Sequence, residues 1–263
     1  MEFMTAILII AAIFGALVGS FLNVVILRLP QEGASVVFPA SHCPKCKTPL
    51  YWYENIPIIS YLFLGGKCRT CKIHISIQYP LVEATMAALS FFLMARFGLT
   101  FSFLGYFLFS AALLIVIVID LYHQIIPDVI SLPGIIIGFL FSFINPDVNW
   151  LDSLIGILCG GGILYAIAWG YYLIRKQDGM GGGDIKLLAA LGAWLGYQSL
   201  LFIIFFSSLT GAIVGIVVLK LQKSGANTRI PFGPFLSVAA LIYLFFGTTI
   251  QYYFGLYLNG QWP

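Results

Sequence analysis

Eight apolar stretches divide the chain, and most of them are long enough to cross a lipid bilayer. A transmembrane helix needs about 20 predominantly apolar residues. The composition agrees, since 60% of the 263 residues are hydrophobic and only 9% are charged, against about 25% in typical soluble domains. The sequence therefore predicts an all-α polytopic membrane protein with about eight transmembrane helices.

The predicted helices follow the windows of apolar residues, and the fourth and sixth are the shortest. No Lys or Arg precedes the first window, so it lacks the basic region of a secretory signal peptide and is expected to be retained as a span. The windows are roughly Thr5–Leu27, Tyr79–Met94, Thr100–Asp120, Val129–Phe143, Leu151–Ile174, Asp184–Leu195, Leu200–Leu221 and Phe232–Phe254.

The basic residues indicate how these helices are oriented, because short cytoplasmic loops collect Lys and Arg. All but one of the 13 basic residues fall on one side of the predicted bundle, and Arg96 alone falls on the other. We expect this side to be cytoplasmic and both termini to be external. The residues on the basic side are Arg28, Lys45, Lys47, Lys67, Arg69, Lys72, Arg175, Lys176, Lys186, Lys220, Lys223 and Arg229.

Four of the five cysteines lie in one predicted cytoplasmic insertion, from residue 29 to residue 78. They form two Cys-x-x-Cys pairs, Cys43 with Cys46 and Cys68 with Cys71, which are separated by 21 residues. This spacing lies at the edge of the zinc-ribbon pattern, in which four thiolates bind one tetrahedral ion. Because four protein ligands leave no open position, the metal is expected to be structural. The alternative, a redox dithiol, needs only one such pair.

Two aspartates stand at the ends of predicted helices. Asp120 closes a long apolar run, and Asp184 ends the glycine-rich run 179–184 at the start of another apolar helix. Carboxylates in membrane segments are costly and usually functional, and a pair of them suggests acid and base chemistry. The alternative is that Asp184 only caps its helix and that the glycines form a loop.

Residues beside the two aspartates are predicted to support them. The glycines before Asp184, without Cβ atoms, are expected to adopt unusual dihedral angles and to let an extended peptide approach closely. Pro127 interrupts the helix after Asp120, and Asp128 is expected to cap the next helix at its N-terminus.

These motifs resemble those of the type IV prepilin leader peptidases, which are membrane aspartic proteases of the GxGD class. The resemblance rests on an ordered set that spans about Gly15 to Gly233. Its parts are the block from Gly19 to Pro30, the two cysteine pairs, the segment from Tyr79 to Glu83, Asp120 with the segment from Ile126 to Asp128, and the motif from Gly181 to Asp184.

The resemblance implies a bifunctional enzyme of the bacterial inner membrane. Such an enzyme cuts the leader from prepilins or pseudopilins at the cytoplasmic face and then methylates the new N-terminal residue with S-adenosylmethionine, in type IV pilus assembly or type II secretion. Asp120 and Asp184 match the catalytic pair, and Gly181, Gly183, Pro127 and Asp128 belong to the supporting motifs. No basic patch interleaved with aromatic residues suggests a nucleic-acid partner.

Methyl transfer is implied only by the resemblance, since the chain has no Rossmann-type glycine motif. Candidates for the methyl-donor site are Glu54 or Glu83, which could receive a proton or orient the amine, and Trp52 or Tyr53, which could contact the sulfonium through a cation–π interaction. For Glu83, pairing with Arg28 or capping is the alternative.

Two other functions remain compatible with the residues. One is a transporter or scaffold that carries a structural zinc ribbon, although transporters place polar sites near the midplane rather than at helix ends. The other is a GxGD peptidase that acts on another class of leader without methyl transfer. The predicted domains are a first helix at residues 1–28, a tetracysteine zinc domain at 29–78 and a seven-helix peptidase domain at 79–263.

Overall fold

A computed structural model describes residues 2–31, 33–177, 181–222 and 230–260. These ranges contain nine α-helices, a single turn of 3₁₀ helix at Trp52–Asn55, and no β-strand, which confirms the predicted all-α class. The helices are α1 (Glu2–Arg28), α2 (Ile59–Phe63), α3 (Gln78–Phe97), α4 (Phe101–His123), α5 (Asp128–Phe141), α6 (Trp150–Arg175), α7 (Gly182–Leu195), α8 (Gln198–Gln222) and α9 (Gly233–Leu258).

Every predicted window contains a helix, but the helices differ in length. Six of those described, α1, α3, α4, α6, α8 and α9, are long and apolar enough to cross a membrane. Helices α5 and α7 have 14 residues each, which gives a rise of about 21 Å against a hydrocarbon core of about 30 Å. Four residues of the sequence predictions, Gly179, Met180, Lys223 and Arg229, lie outside the described residues.

The chain forms two compact units, Met1–Ile115 and Val116–Pro263. The boundary lies inside α4, so it does not coincide with the division that the sequence suggests at residues 28 and 78, and that division stays a prediction.

In the first unit α1 packs against α3. The buried Ser90 hydroxyl of α3 donates a hydrogen bond of 2.6 Å to the carbonyl of Ala11 on α1. The buried side-chain amide of Asn23 on α1 donates to the carbonyl of Tyr79 on α3 at 3.1 Å. Such hydrogen bonds between helices satisfy polar groups that lipid cannot satisfy, and they are typical of membrane helix pairs.

In the second unit α7 is the most enclosed helix, because every residue from Leu187 to Leu195 is buried. It packs against α5, α6, α8 and α9. Ser153 of α6 donates to the carbonyl of Ala193 at 2.7 Å, and the indole of Trp194 donates to the carbonyl of Gly134 on α5 at 2.9 Å. These bonds fix α7 between its neighbours.

The contact between α6 and α7 requires glycine on both sides. A Cβ atom added to Gly156 would lie 2.2 Å from the carbonyl oxygen of Gly192, and one added to Gly192 would lie 2.1 Å from the carbonyl oxygen of Gly156. The two backbones are therefore in direct contact, which is the close approach that small residues permit in membrane helix pairs.

Candidate active site and metal centre

Asp120 lies near the C-terminal end of α4 and is 4% exposed. Its Oδ2 atom accepts a hydrogen bond of 2.9 Å from the backbone N–H of Gly233, the first residue of α9. That N–H is one of the donors at a helix start that have no acceptor within their own helix. Asp120 therefore supplies an acceptor to a donor that would otherwise be unpaired.

Asp184 is the third residue of α7 and is partly buried. Gly181 stands at the N-cap position of this helix. The carboxylates of Asp184 and Asp120 are close enough for their negative charges to repel each other. The second unit thus brings together the two aspartates that the sequence analysis singled out.

The described glycines before Asp184 do not have the unusual dihedral angles that we predicted. Gly181 is extended, with φ −69° and ψ 135°, whereas Gly182 and Gly183 already belong to α7. For Gly183 the structure gives a packing reason, because an added Cβ atom would lie 2.9 Å from Cβ of Ile126. Gly182 has open space around its Cβ position.

Ile126 and Gly233 are two site residues that the sequence analysis did not single out. The Ile126 side chain approaches Gly183 at the start of α7 and Gly233 at the start of α9. A Cβ atom on Gly233 would lie 2.7 Å from Oδ2 of Asp120 and 3.1 Å from Cδ1 of Ile126. For Gly233 the sequence did contain a signal, the Gly-Pro pair at the start of the last apolar window. Proline favours the first turn of a helix, so this pair places Gly233 at a helix start.

Asp128 does not cap α5, contrary to the prediction. The N-cap position belongs to Pro127, and Asp128 is the first residue of the helix. Its two carboxylate oxygens accept hydrogen bonds of 2.7 and 2.8 Å from the ammonium of Lys186 on α7. Because the two side chains are 56% and 38% exposed, this ion pair links α5 to α7 with a contribution of at most about 1 kcal/mol.

The two Cys-x-x-Cys pairs of the first unit converge on one point. Their four Sγ atoms all lie within 4.8 Å of one another. The distance is 3.7 Å between Cys43 and Cys71 and 3.9 Å between Cys46 and Cys68. A tetrahedron of thiolates with bonds of about 2.3 Å to zinc has sulfur–sulfur edges of about 3.8 Å. The cluster therefore has the dimensions of a tetrahedral metal site, which a redox dithiol would not require.

The two pairs are built in the same way. The N–H of Lys47 donates to the carbonyl of Cys43, and the N–H of Lys72 donates to the carbonyl of Cys68, each at 3.0 Å. Both lysines have a φ of 57°. In each case the tight turn presents two sulfur atoms on one side, so the convergence of the four cysteines follows from the repeated local geometry.

One thiol of the cluster is predisposed to ionise. Hydrogen bonding to the side chain of Thr48, and then to its backbone, lowers the pKa of Cys46 to about 6. Cys46 therefore ionises more readily than an ordinary thiol, and the thiolate is the form that binds metals.

Comparison with known families covers most of the chain. Residues 13–97 match the model of the bacterial peptidase A24 N-terminal domain, and residues 107–216 match that of the type IV leader peptidase family. A prepilin leader peptidase/N-methyltransferase from Pseudomonas aeruginosa is 40% identical over 90% of this chain and 90% of its own length. The chain belongs to the type IV leader peptidase family.

Further relatives of the chain carry the same name. One from Stutzerimonas stutzeri is 39% identical over 93% of this chain and 92% of its own length, and one from Aeromonas salmonicida is 38% identical over 90% of both. No solved structure gives a significant match. Family membership identifies the chain as an enzyme and does not favour the transporter and scaffold alternatives.

The two glutamates among the candidate methyl-donor residues have backbone partners. Glu54 accepts a hydrogen bond of 2.9 Å from the N–H of Tyr51 within the 3₁₀ turn. The buried Glu83 accepts one of 2.7 Å from the N–H of Ile58. Trp52 is 80% exposed. Tyr53 is also exposed, and the guanidinium of Arg69 lies over its ring.

The predicted pairing of Glu83 with Arg28 is not formed. The guanidinium of Arg28 instead donates to the carbonyls of Ser35 and Pro39. It thereby holds the start of the insertion against the end of α1.

Beside this contact the first unit has a cavity of about 340 Å³. Phe21 and Arg28 of α1 line it together with Ser41 and Asn55 of the insertion. The volume lies within the range of sites for small molecules, which runs from about 300 to 1,000 Å³.

Proposed function

We propose that this chain is a membrane aspartic endopeptidase that removes the leader from type IV prepilins or pseudopilins and then methylates the new N-terminal residue. Asp120 and Asp184 are the catalytic pair in this proposal. The observation that carries it is their juxtaposition at the start of α7 and the start of α9, in a chain whose relatives are named prepilin leader peptidase/N-methyltransferase.

Peptide hydrolysis requires one ionised and one protonated carboxyl group in the pair, which two close carboxylates provide by sharing a proton. The ionised group takes a proton from water as the water oxygen bonds to the scissile carbonyl carbon. The other group gives its proton to the carbonyl oxygen. The tetrahedral diol then returns a proton to that second group, the first group protonates the leaving nitrogen, and the C–N bond breaks. Both carboxyl groups finish in their starting states.

The supporting motif residues hold this pair in place. Gly183 leaves room for Ile126, and Pro127 ends the segment that connects α4 to α5. The ion pair of Asp128 with Lys186 ties the start of α5 to the helix that carries Asp184. Gly181, at the N-cap position, sets the start of that helix.

We assign a structural Zn²⁺ to Cys43, Cys46, Cys68 and Cys71. Their mutual distances fit a closed tetrahedral site, and a site with four protein ligands has no open position for substrate. The ion would hold the insertion together, since an isolated segment of this size has a small hydrophobic core.

For the methyl donor, S-adenosylmethionine, we propose the cavity beside α1. The guanidinium of Arg28 has five N–H donors, of which only some are used by carbonyls. It could bind the carboxylate of the donor, while Phe21 offers a ring face for the adenine. When bound, the donor supplies an electrophilic methyl group. Glu54, Glu83 and Trp52 remain candidates to orient the amine, to take up its proton and to contact the sulfonium.

We place this enzyme in the bacterial inner membrane with the catalytic pair facing the cytoplasm and both termini outside. The distribution of basic residues supports this orientation. Prepilins or pseudopilins and membrane lipid are the proposed partners. A cut at the membrane surface would lie where the apolar helix of such a substrate emerges from lipid.

The test is mass spectrometry of a prepilin incubated with the purified protein in detergent, with and without S-adenosylmethionine. We expect the wild type to remove the leader and, with the donor present, to add one methyl mass to the mature N-terminus. Asp120→Asn and Asp184→Asn should leave the prepilin uncut, and the control Asp152→Asn, in the first turn of α6, should cut it normally. Normal cutting by either dyad variant would remove that residue from the pair.

The cavity is tested separately by equilibrium dialysis of labelled S-adenosylmethionine. Arg28→Gln should weaken binding at least tenfold, and the control Arg96→Gln should not. Equal binding by the wild type and Arg28→Gln would place the donor elsewhere.

A further inference from the structure

The two carboxylates of the proposed catalytic pair have different surroundings. Asp120 is 4% exposed and accepts the hydrogen bond from the N–H of Gly233. Asp184 is more exposed to solvent than Asp120. Within the described parts of the chain, no donor bonds to its carboxylate. A pair that shares one proton should hold it on the member whose negative charge is less well stabilised.

The bond from Gly233 stabilises the negative charge of Asp120 in two ways. A hydrogen bond to an ionised acceptor is stronger than one to a neutral acceptor. In addition, the free N–H groups at the start of α9 carry a partial positive charge. Asp120 needs this help, because it lies near the C-terminal end of α4, where unpaired carbonyl groups disfavour an anion.

Asp184 also lies in the first turn of a helix, so the partial positive charge of α7 acts on it. This effect is weaker than a direct hydrogen bond to the charged group. Among the described residues, the difference between the two aspartates is therefore the N–H donor of Gly233.

Residue 233 can supply this donor at short range only because it is glycine. An added Cβ atom would lie 2.7 Å from the same Oδ2 atom that accepts the hydrogen bond, and 3.1 Å from Cδ1 of Ile126. Any side chain would force the carboxylate of Asp120 away from the N–H.

The other charged groups that the structure describes on α4, α5, α7 and α9 do not reverse this difference. On α5 and α7, Asp128 and Lys186 are bonded to each other. On α4, Tyr122 and His123 are exposed. The sequence of α9 contains no charged side chain.

We propose that Gly233 is a positioning residue that keeps Asp120 ionised, so that the shared proton resides on Asp184. This rests on the proposed catalytic pair and assigns a role to each member. Asp120 takes the proton from water, and Asp184 gives its proton to the scissile carbonyl oxygen.

The first experiment compares pH profiles of prepilin cleavage for the wild type, Gly233→Ala and the matched control Gly255→Ala. Gly255 lies in the same helix with open space at its Cβ position. We expect Gly233→Ala to lower kcat at least tenfold with KM changed less than twofold, and to move the acidic limb of the profile to higher pH by about one unit. The control should match the wild type. An unshifted acidic limb in Gly233→Ala would overturn the proposal.

The second experiment uses no substrate and no variant of Gly233. Infrared spectra of protein labelled with ¹³C-aspartate are recorded against pH for Asp120→Asn and Asp184→Asn, with the double variant as the baseline. The carboxyl band of Asp120, seen in Asp184→Asn, should disappear at a lower pH than that of Asp184, seen in Asp120→Asn. The reverse order would refute the assignment. Because this order is independent of cleavage, a wild type that fails to cut prepilins contradicts the proposed function alone.

Discussion

Replacing Gly183 with alanine should disturb the active site through one contact, that with Ile126. The new Cβ atom would lie 2.9 Å from Cβ of Ile126, whereas carbon atoms in contact are normally about 3.5 to 4.0 Å apart. The two atoms must therefore separate by roughly 0.6 to 1.1 Å. Rotation of the Ile126 side chain cannot separate the two atoms, because the Cβ atom of Ile126 is fixed to the backbone. Either α7 or the segment before α5 has to move.

The displacement determines the size of the effect. Asp184 directly follows Gly183 on α7, so it moves with the helix start. A misplacement of about 1 Å in a catalytic group costs about 100-fold in rate, which corresponds to about 2.7 kcal/mol in activation free energy. Overpacking should also destabilise the fold by about 1 to 3 kcal/mol, partly offset by about 0.5 to 1 kcal/mol from replacing glycine within a helix.

The assay is the initial rate of leader removal in detergent, measured in two backgrounds at residue 126. Gly183→Ala should remain severe with Ile126→Ala, which retains the Cβ atom, and should become mild with Ile126→Gly, which lacks it. Gly162→Ala, a helical position with open space, is the control and should behave as the wild type. An equal effect of Gly183→Ala in both backgrounds would refute the packing argument and would favour a direct contact of Gly183 with substrate.

Three further predictions concern the metal centre and the ion pair. Cys43→Ser and Cys68→Ser should each lose zinc, measured by atomic emission, and should make the insertion sensitive to protease, whereas the control Cys159→Ser should keep its zinc. Full zinc occupancy in either ligand variant would show that the replaced cysteine is not a ligand. Zinc content should fall as the pH is lowered, because protons compete with the metal for thiolates, and a content that does not vary between neutral and acidic pH would contradict thiolate ligation. Lys186→Met should lower the free energy of unfolding by at most about 1 kcal/mol, because the ion pair with Asp128 is exposed; a much larger loss in denaturant titration would show that the pair is buried in the working protein.

The sequence predicts the helices well because apolar windows and helix-breaking residues are local signals. It also predicts the four cysteines as one cluster, because their spacing reflects a repeated tight turn. It does not predict the roles of Ile126 and Gly233, since these come from contacts between residues distant in sequence. Gly233 is 113 residues from Asp120.

The error at Asp128 has the same origin. A polar residue after a proline is a good N-cap candidate by local rules, but here the carboxylate of Asp128 bonds instead to Lys186, 58 residues away. The glycine motif was misinterpreted for a related reason. Glycine in a sequence indicates freedom of the backbone, whereas at Gly183 the structure uses the absence of a side chain to admit Ile126.

The enclosure of α7 has a consequence for how the protein responds to its membrane. Because the residues from Leu187 to Leu195 contact protein, a thicker or thinner bilayer acts first on the outer helices, such as α6 and α8. Strain on α6 reaches α7 through the contact of Gly156 with Gly192, where two backbones meet without compressible side chains. When α6 tilts to match the lipid, we therefore expect α7 to move with it as a rigid unit and to keep its internal geometry. Changes in acyl-chain length should alter the heat resistance of the protein more than its turnover.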